Sequence, residues 1–193
     1  MKKSEHRDGI VRQPGLARRR FLKMGAALVT AGMSGNAFAK VSTLLQPERK
    51  LDFFNIHTGE QLSAVYWADG AYQPEGLTDI YRVLRDYRSG DISTISSQLL
   101  DLLYTLSSTM DAKQPFHVIS GYRSPSTNAM LAEKSQGVAK HSLHMEGLAI
   151  DIRLPGHELS DLRRAALSLK GGGVGYYPAS DFVHVDVGRV RTW

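Results

Sequence analysis

Between His141 and Asp151 the chain reads HSLHMEGLAID, and further on His184 stands in the run FVHVDV. Imidazoles and carboxylates are costly to bury without a partner. Two histidines, a serine and an aspartate around one glycine therefore suit either a decorated loop or a metal site. His144 closes a loop, Asp151 lies seven residues on inside an apolar run, and Gly147 lets the backbone turn tightly between them. In FVHVDV, Val183 and Val185 alternate with His184 and Asp186, which puts the polar pair on one strand face. Two such strands side by side would bring His144, Asp151 and His184 to one point. Three N/O ligands with a fourth position left for water is the pattern of a catalytic zinc site. The chain has no cysteine, so any metal must be held by His and carboxylate.

The elements that must position these residues are readable from periodicity. KLDFFNI (50–56) and QLSAVYW (61–67) read as strands around the turn HTGE. Pro74-Glu75 opens a helix expected to run to about Arg88 and stop at Ser89-Gly90, with Leu77, Ile80, Leu84 and Tyr87 on one face. A second helix from Thr94 to Met110 carries a core-facing stripe of Ile95, Leu99, Leu102, Leu103 and Leu106. FHVIS (116–120) reads as a strand, and STNAMLAEKS after it as a short helix with Ser126 as N-cap. GLAIDIR (147–153) reads as a buried strand. Leu159 to Leu169 reads as a helix ended by Gly171 to Gly173, and VGYY and FVHVDV as the last strands. The class is α+β, a small, mainly antiparallel sheet with flanking helices.

The string Ser142-x-His144-x-x-Gly147-x-Ala149-x-Asp151 with a downstream His184 resembles the zinc-peptidase family of the D-alanyl-D-alanine carboxypeptidases and the vancomycin-resistance dipeptidase. SGYRSPSTN (120–128) is similar to that family's arginine-bearing loop. HTGE, GGGVGYYPASDFVHVDVG (171–188) and the final RTW resemble its murein endopeptidase K branch, so the likeness runs from about Leu51 to Trp193. The resemblance implies the DD-peptidase (hedgehog-type) fold, with one Zn2+ per chain on His144, Asp151 and His184. Arg123 would hold a substrate carboxylate or the developing oxyanion, and Ser142 would support the ligand loop. For the general base two carboxylates compete. Asp181 stands three residues before the third ligand, where the dipeptidases carry an acid. Asp186 shares a strand face with His184 and is read either as the base or as a carboxylate orienting that imidazole.

Other polar residues invite plainer readings. His141 is a pocket-edge residue and His57 a turn histidine, while His117 and His157 lie at the surface or strand ends. Tyr176 and Tyr177 are sheet packing, with one hydroxyl able to face substrate. Gly171 to Gly173 follow a helix rather than open one, so they are no phosphate cradle.

The net charge of +5 invites a nucleic-acid partner. Residues 1–39, however, hold three Lys and five Arg against Glu5 and Asp8, or +6, which leaves 5 − 6 = −1 for residues 40–193. Nucleic acid is thereby dropped. Arg18-Arg19 followed by Arg20-Phe21-Leu22-Lys23 resembles a twin-arginine export signal. The apolar run after it is too short to span a bilayer, and Ala37-Phe38-Ala39 fits a cleavage site. The expected organisation is a signal over 1–39, cleaved after Ala39, and one zinc-peptidase domain over 40–193 in the periplasm, without a membrane span.

Function follows from the resemblance. The expectation is a zinc-dependent murein endopeptidase acting on peptidoglycan stem peptides, at meso-diaminopimelate–meso-diaminopimelate (3-3) cross-links and secondarily at D-Ala–diaminopimelate (4-3) ones. The alternatives are a D,D- or L,D-carboxypeptidase and a non-catalytic peptidoglycan-binding module.

Overall fold

The computed structural model describes residues 47–134 and 139–193, so the export signal expected over 1–39 lies outside the described residues. The strands are β1 (Arg49–Asn55), β2 (Gln61–Ala68), β3 (Ala71–Tyr72), β4 (Phe116–Ser120), β5 (Ala149–Arg153), β6 (Gly173–Tyr177), β7 (Phe182–Asp186) and β8 (Arg191–Thr192). The helices are α1 (Pro74–Val83), α2 (Ser97–Thr109), α3 (Pro125–Lys134) and α4 (Leu159–Leu169). All eight strands join in one sheet in the order β3-β2-β1-β4-β5-β7-β6-β8. Neighbours are antiparallel except β1/β4 and β6/β8. The fold is α+β, and its sheet is larger than expected because β3 and β8, two residues each, are too short to show any period.

β5 and β7 lie at the middle of the sheet, in a register that sets Asp151 opposite His184 and Ala149 opposite Asp186. Alternation then sends Ile150, Ile152, Val183 and Val185, all buried, to the other face. There they join the core with Leu99, Leu103 and Leu106 of α2 and Leu162 and Ala166 of α4. The apolar stripes thus clamp one face of the central strands, and this fixes the direction of the polar residues on the other.

Two boundaries differ from the periodicity. α1 ends at Val83 rather than near Arg88, because the Leu84 carbonyl accepts the Tyr122 N–H at 2.8 Å and the chain turns into the 120–124 loop. α3 begins at Pro125, with Ser124 rather than Ser126 as its cap, since the Ser124 Oγ accepts the Thr127 N–H at 3.3 Å.

Candidate metal centre

His144 sits on a single 3-10 turn, Leu143–Glu146, which Gly147 ends at φ 66° before β5 begins. The left-handed conformation is one that glycine adopts without strain. It lets the Gly147 carbonyl accept the Ser96 N–H at 2.9 Å, which ties the ligand turn to the start of α2. Donors and acceptors define the centre. The His144 Nδ1–H donates to the Gly121 carbonyl at 2.8 Å, and a carbonyl can only accept, so Nε2 is left bare. The His184 Nε2–H faces Asp186 Oδ2 at 3.2 Å, which leaves Nδ1 bare in the neutral ring.

These bare nitrogens converge on Asp151 Oδ1. His144 Nε2 and His184 Nδ1 are 3.2 Å apart. Asp151 Oδ1 lies 2.8 Å from the His184 atom and 3.3 Å from the His144 atom. Ligand atoms around a tetrahedral zinc, bonded at roughly 2.0–2.1 Å, stand about 3.3 Å from one another. Three lone-pair donors packed at that spacing repel unless a cation lies among them. A proton on His184 Nδ1 would serve only one of its two neighbours, whereas a divalent ion serves all three. The donor set fits zinc.

Burial sharpens the site. His144, Asp151 and His184 are 2%, 6% and 9% exposed. Burial alone would raise the Asp151 carboxyl, but His144 and His184 outweigh it and hold the group well below the usual carboxylate range. Burial works against a charged His184, yet Asp151 and Asp186 on either side raise its basicity.

Asp186, one of the two carboxylates expected as a base, is enclosed by donors on both oxygens. It is fully buried, and Oδ1 accepts the N–H groups of Gly173 (2.9 Å) and Gly188 (2.8 Å) and Arg191 Nη1 (3.1 Å). Its Oδ2 accepts Arg191 Nη2 at 2.7 Å and the His184 Nε2–H. Burial would raise its pKa, but these partners hold it well below the usual range. Five donors occupy its two oxygens, and the contact with His184 Nε2 places Asp186 where a carboxylate can orient that ring. The glycines 171–173, read in the sequence only as the end of a helix, supply one of those donors. Asp181, the other carboxylate expected as a base, does not line the cavity of the triad. It follows a 3-10 turn at φ 55°, lies exposed, and binds Arg153 Nη1 at 2.6 Å beside a separate depression lined by His117 and His157.

The triad opens into a cavity of about 450 Å³. Arg123 reaches it from the loop after β4, its guanidinium 12% exposed and Nη2 3.7 Å from Asp151 Oδ2. Its other contacts are long, to Asn128 Oδ1 and Ser120 Oγ at 3.4 Å each, and its buried Nε has no partner among the described residues. A guanidinium so loosely served can bind a carboxylate in its fork. Ser142 and His141 line the same cavity. The opposite wall is aromatic. The Trp193 Nε1–H donates to the Tyr177 hydroxyl at 2.7 Å, Tyr177 stacks on Phe182 at 4.5 Å, and the Trp193 ring lies 5.3 Å from His184. Tyr177 is thus the tyrosine facing the cavity, while Tyr176 packs on the core under Arg163. The aromatic wall escaped sequence reading because Trp193 enters it only through the β6/β8 pairing. His57 stacks on Tyr87 at 3.8 Å and faces the Ile119 carbonyl, outside the cavity.

Comparison with known proteins bears on this geometry. The profile of a family described as "Peptidoglycan L,D-endopeptidase MepK" matches residues 44–193. The peptidoglycan L,D-endopeptidase MepK of Escherichia coli K12 is 44% identical over 177 residues, covering 91% of this chain and 96% of that protein. The Shigella flexneri protein of the same name gives the same figures of 44%, 91% and 96%. The probable MepK of Haemophilus influenzae is 40% identical over 178 residues, covering 91% and 95%.

Proposed function

The chain belongs to the zinc peptidase family M15, in its MepK branch, and from that premise we propose that it opens 3-3 cross-links of peptidoglycan with one zinc ion held by His144, Asp151 and His184. It is a metallopeptidase acting on peptidoglycan, and the relatives' names support endopeptidase action. The observation that carries the zinc reading is the convergence of three possible ligand atoms, from His144, Asp151 and His184, within 3.3 Å of one another. A zinc ion held by His144, Asp151 and His184 would supply Lewis acidity for the scissile carbonyl and for activating water.

The chain's own residues do the rest. Gly121 and Asp186 hold the two imidazoles with their bare nitrogens inward. Arg123 grips a carboxylate next to the scissile bond and lends charge to the oxygen that becomes negative. The aromatic wall of Tyr177, Phe182 and Trp193 shields one side of the cavity from water. Among the lining residues, His141 and Tyr177 are the titratable side chains outside the ligand set and the ion pairs.

The choice of bond follows from stereochemistry. A 3-3 bond joins an L-centre carbonyl to a D-centre nitrogen, and that D-centre bears a free carboxylate for Arg123. A 4-3 bond joins two D-centres, so it fits the L,D designation of the relatives less well. Purified residues 40–193 should convert 3-3 muropeptide dimers to monomers at least about tenfold faster than 4-3 dimers, with products resolved by mass. Equal rates would remove the bond preference. Loss of terminal residues with dimers intact would make the protein a carboxypeptidase, and no turnover would leave a binding module. The twin-arginine-like segment supports export to the periplasm, and an exported form beginning at Lys40 by mass would establish the cleavage. Among the described residues no helix is long and apolar enough to cross a membrane.

A further inference from the structure

We infer that Asp86 is a positioning residue for this site, holding the 121–124 loop so that Arg123 meets the substrate carboxylate and Gly121 meets His144. This rests on the reading of Arg123 as the carboxylate clamp. Asp86 follows α1, is 2% exposed, and belongs to neither the ligand set nor the cavity wall. A buried carboxylate needs partners, and those of Asp86 come largely from the arginine loop and the helix it opens. Its Oδ2 accepts the Ser124 N–H at 2.9 Å and the Ser124 hydroxyl at 2.8 Å, while Oδ1 accepts the Arg88 N–H at 3.0 Å. No Lys or Arg side chain pairs with it among the described residues. Burial would raise its pKa, yet the bonds from Thr127, Ser124 and Arg88 bring it down to about 2.

Two backbone contacts complete the grip. The Leu84 carbonyl accepts the Tyr122 N–H at 2.8 Å, and Gly121 lies so close to that carbonyl that a Cβ there would overlap its oxygen. The loop in turn delivers two functions. The Gly121 carbonyl fixes the tautomer of His144, and the Arg123 N–H donates to the His144 carbonyl at 3.1 Å. The Arg123 guanidinium has only contacts of 3.4 Å or longer to steer it. Its place is therefore set by the backbone that Asp86 anchors. A shift of about 1 Å in such a group is enough to cost roughly a hundredfold in rate.

The test is a cycle of protein and substrate changes. Wild-type protein would be assayed on a 3-3 dimer and on the same dimer with the acceptor's free carboxylate amidated, alongside Asp86→Asn. The wild type should prefer the free carboxylate by roughly ten- to hundredfold. Asp86→Asn should lose most of that preference through a raised KM on the free-carboxylate dimer, and bind zinc about tenfold more weakly. A residue needed only for folding would lower active protein and leave the preference untouched. Ser124→Ala, which removes the hydroxyl bond to Asp86 together with the cap on the Thr127 N–H but keeps Asp86 and the Ser124 N–H bond, should shift the preference the same way by a smaller factor. It also serves if Asp86→Asn does not fold. A wild type indifferent to amidation would sink the Arg123 reading. A wild-type preference kept in full by folded Asp86→Asn or Ser124→Ala, with zinc affinity unchanged, would overturn the role of Asp86.

Discussion

Replacing His144 by Ala is expected to strip the metal and lower the turnover of cross-linked dimers by roughly a thousandfold or more, the worth of a few kcal/mol of lost charge stabilisation. The side chain is 2% exposed and supplies one of three converging donor atoms, so nothing nearby replaces it. Its loss also leaves the Gly121 carbonyl, which accepts the His144 Nδ1–H at 2.8 Å, without that partner. Metal content by mass spectrometry of the intact native protein should fall from one ion per chain to near none. Binding of uncleaved dimers should survive, because Arg123 and the aromatic wall remain. If turnover persisted, the metal would have to lie elsewhere or be dispensable.

Arg123→Ala is expected to lower kcat/KM on 3-3 dimers by roughly a hundred- to thousandfold, the effect of removing one oxyanion-type donor together with a carboxylate partner. Arg123→Lys should recover little of it. An ammonium is a point charge that cannot span two carboxylate oxygens as the planar fork does. Zinc content should remain one per chain, since Arg123 contacts Asp151 only at 3.7 Å, through an oxygen other than the one facing the two imidazoles. Steady-state kinetics with parallel metal analysis separates the two variants. Retained metal with lost turnover is the signature of Arg123, and both lost together that of His144. A full-rate Arg123→Ala protein would leave the carboxylate to some other group.

Much of the centre was legible because it rests on local patterns. Alternation in FVHVDV, whose valines enter the core beside Ile150 and Ile152, predicts the face on which His184 lies. Gly147 marks the turn that brings His144 back beside Asp151. The surroundings of the carboxylates were not legible, for a physical reason. Asp186 shares the strand face expected of it, but its protonation chemistry is decided by five donors from Gly173, Gly188, Arg191 and His184. Backbone N–H direction leaves no trace in residue type. Asp181 stands at the spacing where related enzymes carry an acid, yet its left-handed backbone and Arg153 turn it away. Likewise α1 shows helical periodicity to Tyr87 and stops at Val83, because a distant loop claims the next carbonyl. What escapes the sequence is the long-range pairing of backbone groups, and the Asp86 anchor is made of just such pairs.

The most direct test of the metal reading is the rate of 3-3 dimer cleavage by one preparation of residues 40–193, measured before chelation, after chelator removal of metal, and after return of one equivalent of zinc. The expected result is full loss on chelation and recovery at one zinc per chain, with His144→Ala unresponsive to added zinc. Cleavage that continued unchanged in metal-stripped protein would contradict the assignment of His144, Asp151 and His184 as the working centre.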